Sequence, residues 1–359
     1  MKISFIMNGL GLSGGVRVIF EYANRLTERG HDVSIVYPVI PPRMGEEWDF
    51  KEKLKQMGGT FKRIKRGNRV NWHNLNANLI RVPTINPKHI NLFQAKIPES
   101  DIIVATVWNT AYTVYSLPEK LGKKAYFIQG YPVWEWQNKY CWQKVRMAEK
   151  DPNCYPTAIS KICPKRKKRR RKKEMVEKTY HLPLKKIVTS SWEKKLIEKR
   201  FNEETVGRVD YGVNFEIFHP VKKTENSQIN ILMLWRNRRL DKGDIEGLKI
   251  IKYIHRNFDE VKFSMLGQKK TAHIPSFVNF KENPPQSRLK HVYSSADILL
   301  FPSRIEGYGM PPMEAMACRC AVVATNVGGV PDYSIPGETA FITPPMNPKL
   351  LTEKIIVSI

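Results

Sequence analysis

Short apolar runs alternate with longer stretches in which apolar residues recur every three or four positions, and the series starts twice, at Met1 and again near Asn230. This alternation is the strongest constraint in the chain. A strand followed by an amphipathic helix and another strand returns to the same edge of its sheet, so the strands run parallel and helices cover both faces. In the first series ISFIM is a strand, NGLGLSGG (Asn8 to Gly15) a turn-rich loop, and VRVIFEYANRLTER a helix with Val16, Ile19, Phe20, Ala23 and Leu26 at helical spacing. Gly30 stops that helix. DVSIVYP is the next strand, and DIIVAT, KAYFIQ and KIVTSS are further ones.

The second series opens with the strand INILMLW and the helix KGDIEGLKIIKYIHRNF. The strand VKFSMLG, the helix SRLKHVYSSA and the strands ILLFPS, AVVAT and TAFIT follow. Between the series, VDYGVNFEIFHPVKK (Val209 to Lys223) carries glycine and proline and reads as a linker. A chain of 359 residues has room for two domains with separate cores. The expectation is two doubly wound α/β domains, residues 1–222 and 223–359, with a basic insertion at about 151–173 in the first. Open parallel sheets bind ligands beyond the carboxyl ends of their strands, so the cleft between the domains is the expected site.

Net charge of +26 selects anionic partners. Part of it is the run KRKKRRRKK, Lys165 to Lys173, and more lies in FKRIKRGNR. Like charges repel, so the run reads as a solvated, disordered segment, and its functional reading is attachment to an anionic membrane surface. Nucleic acid is disfavoured, because no RNA-recognition fingerprint or zinc-finger spacing accompanies the charge. The aromatics Tyr131, Trp134, Trp136, Tyr140 and Trp142 suit either sugar stacking or packing. No apolar run reaches the ~18–20 residues that span a bilayer. MKISFIM runs straight into the glycine loop and reads as a first strand, not as a signal peptide. Five cysteines without a CxxC pair suit reduced thiols in a cytoplasmic protein and argue against zinc.

Gly9-x-Gly11-x-x-Gly14 imitates a dinucleotide fingerprint, but Val36-Tyr37-Pro38 stands where the ribose-binding acid is required. Gly14-Gly15 at a helix start can still approach a phosphate through backbone N–H groups. The more specific signal is FPSRIEGYGMPPMEAMA, where seven residues separate Glu306 from Glu314. Pro311-Pro312 opens a helix and places Glu314 in its first turn, where a carboxylate also complements the helix dipole. A carboxylate beside a crevice accepts two hydroxyls of a vicinal diol. The Gly307-Tyr308-Gly309-Met310 backbone offers N–H donors to a diphosphate or a sugar hydroxyl.

This pattern resembles the retaining glycosyltransferases of family 4, the group 1 transferases, which have the GT-B fold of two Rossmann-like domains facing a cleft. The resemblance rests on the E-x7-E block followed by VVATNVGGVPD, on Gly14-Gly15, on KIVTSSW and YGVNFEIF, and on Lys242-Gly243 in RRLDKG. ATVWNTAY and YFIQGYPVW resemble the rhamnosyl and polysaccharide-assembly subgroup. The resemblance implies transfer of a hexosyl unit from a nucleotide-sugar to a glycan or lipid-linked acceptor with retention. It implies that Glu306 contacts the donor sugar and Glu314 the ribose. Lys242 binds the diphosphate with an arginine, for which Arg236, Arg238 and Arg239 compete; Gly15 approaches the phosphate from the first domain. Asn109 stands in the neighbourhood where relatives often carry a histidine near the sugar.

No Asp-x-Asp occurs, so no metal-binding carboxylate pair and no cofactor are expected, and the nucleotide-sugar is a substrate. Charge on the leaving diphosphate is then neutralised by cations and helix N-termini. Two further departures from the family are the basic segment from Asp151 to Lys173 and a chain that stops at Ile359, where relatives continue into helices. A nucleotide-sugar epimerase of similar fold and a non-catalytic basic membrane- or nucleic-acid-binding protein are the alternatives.

Overall fold

Both series form parallel sheets in the computed structural model, which describes residues 1–40, 70, 72–132, 166–223 and 228–359. The first sheet contains β1 (Lys2–Ile6), β2 (Asp32–Ile40), β3 (Asn78–Thr84), β4 (Ile102–Ala105), β5 (Lys123–Ile128), β6 (Lys185–Val188) and β7 (Thr205–Arg208). The second contains β8 (Ile229–Trp235), β9 (Val261–Gly267), β10 (Val278–Glu282), β11 (Ile298–Phe301), β12 (Ala321–Thr325) and β13 (Phe341–Thr343). Their orders are β3-β2-β1-β4-β5-β6-β7 and β10-β9-β8-β11-β12-β13. These are one doubly wound order used twice, with the winding reversing between β1 and β4 and again between β8 and β11. Ile3 pairs with Ile102 across the first reversal and Ile231 with Ile298 across the second.

Period-two alternation explains why the central strands are apolar throughout. In β8, Ile231, Met233 and Trp235 enter the core on one face of the sheet, and Leu232 and Leu234 enter the core on the other. In β11, Ile298 and Leu300 join the first core, and Leu299 and Phe301 the second. Each such side chain contributes about 1.5–3 kcal/mol when it leaves water. Helix Asp244–Asn257 closes one face with Ile250, Ile251 and Ile254, all buried.

The chain divides into one unit of 1–189 with 193–209 and a second of 190–192 with 210–359. The division therefore follows Val209 and not Lys222. The supposed linker packs onto the second sheet: Phe218 is in its core, the Tyr211 ring packs at a tilt against Tyr308, and Val221 N–H donates to Ser294 Oγ.

The basic run also departs from expectation. Residues 166–173 begin a helix, Arg166–Tyr180. Val176, Thr179 and Tyr180 are buried, and Tyr112 Oη donates to Met175 O, so the second half is anchored. Helix growth from a fixed segment avoids the cost of nucleation. The i,i+4 pairs Arg170–Glu174 and Lys173–Glu177 offset part of the repulsion. Lys165, the segment FKRIKRGNR and Trp134, Trp136, Tyr140 and Trp142 lie outside the described residues. Tyr131 is a packing residue, buried near Tyr180 and Phe201 with its hydroxyl donating to Glu177.

Candidate active site at the carboxyl edge of the second sheet

Two loops leave the sheet where its winding reverses. One follows β8 and carries Arg236 to Gly243; the other follows β11 and carries Pro302 to Gly309. They are bonded to each other, since Arg304 N–H and Ile305 N–H both donate to Asp241 O at 2.9 and 3.1 Å. Gly243, at φ +66°, lies against the second loop so closely that a Cβ there would stand 1.8 Å from Pro302 O. This contact brings Lys242 to Glu306, with Nζ 2.9 Å from Oε2 and 3.3 Å from Ile305 O. Their side chains are 23% and 14% exposed, so the pair is only partly screened by solvent. Ser303 Oγ donates to the other Glu306 oxygen at 2.8 Å.

The Glu306 loop is also fixed from behind. A Cβ on Gly328, at φ +58°, would stand 2.8 Å from Glu306 Cβ, Glu306 O and Gly307 O. Trp192 Nε1 donates to Gly307 O at 2.7 Å, and Tyr333 Oη donates to Gly309 O. Burial, and then the negative charge of Glu306, raise the Tyr333 phenol far above its ordinary range, which keeps it a donor. Tyr308 is buried between Tyr211 and Tyr333, so its ring is packing, leaving its backbone as the part available to a ligand.

Glu314 lies one residue further along its helix than expected. The helix is Met310–Ala317, capped by Gly309 at φ +88°, which makes Met310 the first residue and puts Glu314 beyond the first turn. It does not serve as a dipole partner there. It is 4% exposed and accepts a hydrogen bond from Tyr293 Oη at 2.9 Å.

The arginines separate by their partners. Arg239 grips Asp241 through its guanidinium, and Arg238 Nη1 lies 3.3 Å from His273 Nε2. Arg236 is exposed, and its positive charge acts to lower the Asp244 carboxyl. Asp244 is a site residue that the sequence reading missed. Completely buried at the start of helix Asp244–Asn257, it accepts the N–H groups of Arg236 and Arg239 on Oδ2, at 3.0 and 3.1 Å. Burial pushes its carboxyl up to about 6, against the opposing pull of these N–H groups.

In the first unit, helix Gly14–Glu28 starts beside β1, with Ser13 Oγ accepting from Val16 N–H at 3.3 Å. A Cβ on Gly15 would stand 3.1 Å from Gln129 Oε1, whereas Gly9 and Gly11 have open space, so the apparent fingerprint glycines make no close approach. Asn109 is buried in helix Trp108–Ser116 and accepts from Asn8 Nδ2 at 2.7 Å. An open depression of about 610 Å³, lined by Met1, Lys2, Asp32 and Asp101 among others, lies at the amino ends of these strands, away from the edge where such sheets bind ligands.

Residues 219–357 match the family model described as glycosyl transferases group 1. This segment is a group 1 glycosyl transferase domain. The capsular polysaccharide biosynthesis glycosyltransferase CapM of Staphylococcus aureus is 32% identical over 124 residues, 32% of this chain and 33% of that protein. The chain thus matches about a third of that curated relative's length. Over 99% of the chain, the fold is shared with sucrose-phosphate synthase from Thermosynechococcus elongatus (TM-score 0.69, 16% identity, 89% of that chain). It is likewise shared, over 99% of the chain, with Anabaena HepE in complex with UDP-glucose (TM-score 0.63, 12% identity, 89% of that chain). The architecture is GT-B, as the sequence led us to expect.

Within the transferase domain, the structure brings Lys242, Glu306, Gly307, Gly309 and Gly328 together and leaves Arg236 exposed beside them on the loop after β8. Gly14, Gly15 and Asn109 belong to the other unit. Gly328 had a legible signal, a glycine pair after a strand, whereas the acid directly after Lys242-Gly243 had none that set it apart from a helix-dipole partner.

Proposed function

We propose that the protein transfers a hexosyl unit from a nucleoside-diphosphate sugar to a glycan or lipid-linked acceptor, with retention, in polysaccharide or cell-envelope glycan synthesis. The supporting observation is the Lys242–Glu306 pair at the sheet's reversal point. In such a donor the anomeric carbon is bonded to a phosphate oxygen, so a cation for the diphosphate and a carboxylate for sugar hydroxyls must stand side by side. Glu306 holds the sugar, Glu314 the ribose, and Lys242 with Arg236 the diphosphate. Arg238 and the backbone from Gly307 to Met310 add donor contacts. The bond from the anomeric carbon to the phosphate oxygen breaks as the acceptor oxygen attacks the same face, and the departing phosphate takes the acceptor's proton. UDP is the first nucleotide to test, because HepE is described in complex with UDP-glucose. A panel of labelled nucleotide-sugars offered with glycan and lipid acceptors tests the reading. Folded protein that neither transfers nor hydrolyses any donor would refute it.

The two glutamates are expected to fail differently. Each charged hydrogen bond contributes ~1.5–3 kcal/mol, about ten- to a hundredfold. Glu314→Gln weakens donor binding, since the ribose is unchanged during reaction. Glu306→Gln lowers turnover, because its contact strengthens as charge develops on the sugar. Donor titration with steady-state kinetics distinguishes the two, and wild-type values for both variants would leave these acids as structural groups.

The basic helix start supports peripheral attachment to an anionic membrane. Arg170 and Arg171 are exposed there, and no described helix is long and apolar enough to cross a bilayer. Each basic residue near the surface is worth ~1 kcal/mol. Sedimentation with anionic vesicles should show binding that salt weakens and that neutral vesicles lack. A variant with glutamine from Lys165 to Lys173 that sediments like the wild type would contradict this.

A further inference from the structure

Among the described residues, Asp244 is the buried carboxylate whose partners belong to the loop that displays the site's cations. An acid at the start of a helix ordinarily accepts N–H groups from its own first turn. Asp244 instead reaches backwards, and its Oδ2 collects the N–H groups of Arg236 and Arg239. Its backbone N–H donates to Arg239 O at 3.4 Å, so side chain and main chain clamp the same turn. Between the two gripped N–H groups stand Asn237 and Arg238, at φ +60° and +59°. Two successive non-glycine residues in the left-handed region are strained and persist only where surrounding contacts hold them. The carboxylate is the centre those contacts converge on. The segment it gathers carries Arg236 and Arg238 and leads directly into Lys242.

We infer that Asp244 is the positioning residue of the diphosphate site, its carboxylate acting as a template around which the loop from Arg236 to Lys242 folds so that its cations face the leaving group. This rests on the donor-binding role proposed above for Lys242 and Arg236. Asp244 touches no substrate atom. It acts through the backbone N–H groups it holds, and its negative charge is spent on them inside the fold. Without it, Asn237 and Arg238 relax out of the left-handed region and the cations spread.

The experiment compares wild type, Asp244→Ala and Asp244→Asn by calorimetric titration with the tightest-binding member of a UDP, GDP, ADP and dTDP panel and with the matching nucleoside, alongside kcat and KM. Asp244→Ala should bind the nucleoside diphosphate at least tenfold more weakly while nucleoside affinity stays within twofold. KM for the donor should rise more than kcat falls. Asp244→Asn offers an amide oxygen in the same place, and should recover most of the loss. Ile254→Val, a buried change in the same helix, controls for general loosening and should leave diphosphate affinity unchanged. If Asp244→Ala does not fold, the asparagine variant still decides: a loss larger than about tenfold with circular dichroism like wild type would show that shape is not what the carboxylate provides. Equal losses for nucleoside and diphosphate, or none, would overturn the inference and leave the donor site standing. A wild type that binds no nucleoside diphosphate would overturn both.

Discussion

Lys242→Ala is expected to reduce kcat by about 10²–10³-fold, the range for removing one preorganised group from a developing negative charge. In the proposed reaction the departing diphosphate gains charge as the bond to the sugar breaks, and Lys242 is a cation that the two loops hold in place, through Ile305 O and Glu306. The substitution also leaves Glu306 without its ammonium partner in a partly buried setting, where an unpaired carboxylate is costly. Donor affinity should fall as well, because the diphosphate is already charged in the ground state. Lys242→Arg separates the two contributions. It keeps the charge but replaces a point cation by a planar fork, so binding should recover further than turnover. Steady-state kinetics over a donor titration give both numbers. Turnover within threefold of wild type for the alanine variant would remove Lys242 from the chemistry.

Gly243→Ala is expected to damage both stability and activity. A Cβ at this position would lie 1.8 Å from Pro302 O and 2.6 Å from Pro302 C, backbone atoms that no side-chain rotation can move aside. The left-handed φ of +66° adds about 1 kcal/mol for any residue with a Cβ, and overpacking adds about 1–3 kcal/mol. The sum of about 2–4 kcal/mol corresponds to a fall in Tm of roughly 4–16 °C for a unit of this size. Relief requires the loop after β11 to retreat, and that loop carries Ser303 and Glu306, so turnover should fall even at temperatures where the variant is folded. Gly11→Ala is the matching control: its Cβ would meet nothing within 4 Å, and melting and kinetics should stay at wild-type values. A Gly243→Ala protein with unchanged Tm and turnover would show that the two loops are not packed as described.

How much of this was legible in the sequence follows from burial. The central strands β1, β8, β11 and β12 are covered on both faces, so they appear as mainly apolar runs. The strands that escaped notice, β3, β7 and β10, are all at sheet edges. NLIRVPT contains a proline, and TVGR and VNFKE expose half their residues or more, so neither period nor composition marks them. The helix beginning in the basic run was hidden because local charge argued against order. What holds it is Tyr112 and the buried Val176 and Tyr180, contacts distant in sequence. The E-x7-E block and Lys242 were readable because they lie within one loop or helix each. Asp244 was not, since an acid after glycine at a helix start reads as a dipole partner. Only the fold reveals that it faces backwards.

The way Gly328 and Gly329 meet the Glu306 loop has a consequence for how such a protein can change over generations. A Cβ on Gly328 would collide with the main chain of Glu306 and Gly307, and one on Gly329 with the ring of Tyr308, 2.5 Å away. The loop is therefore backed largely by another loop's main chain, whose shape does not depend on which side chains surround it. If the proposed function holds, residues around the rim can be replaced, altering which sugar or acceptor is admitted, while the carboxylate keeps its place. Selection can thus explore new linkages at the rim without first repairing the centre. A change at either glycine would couple the two.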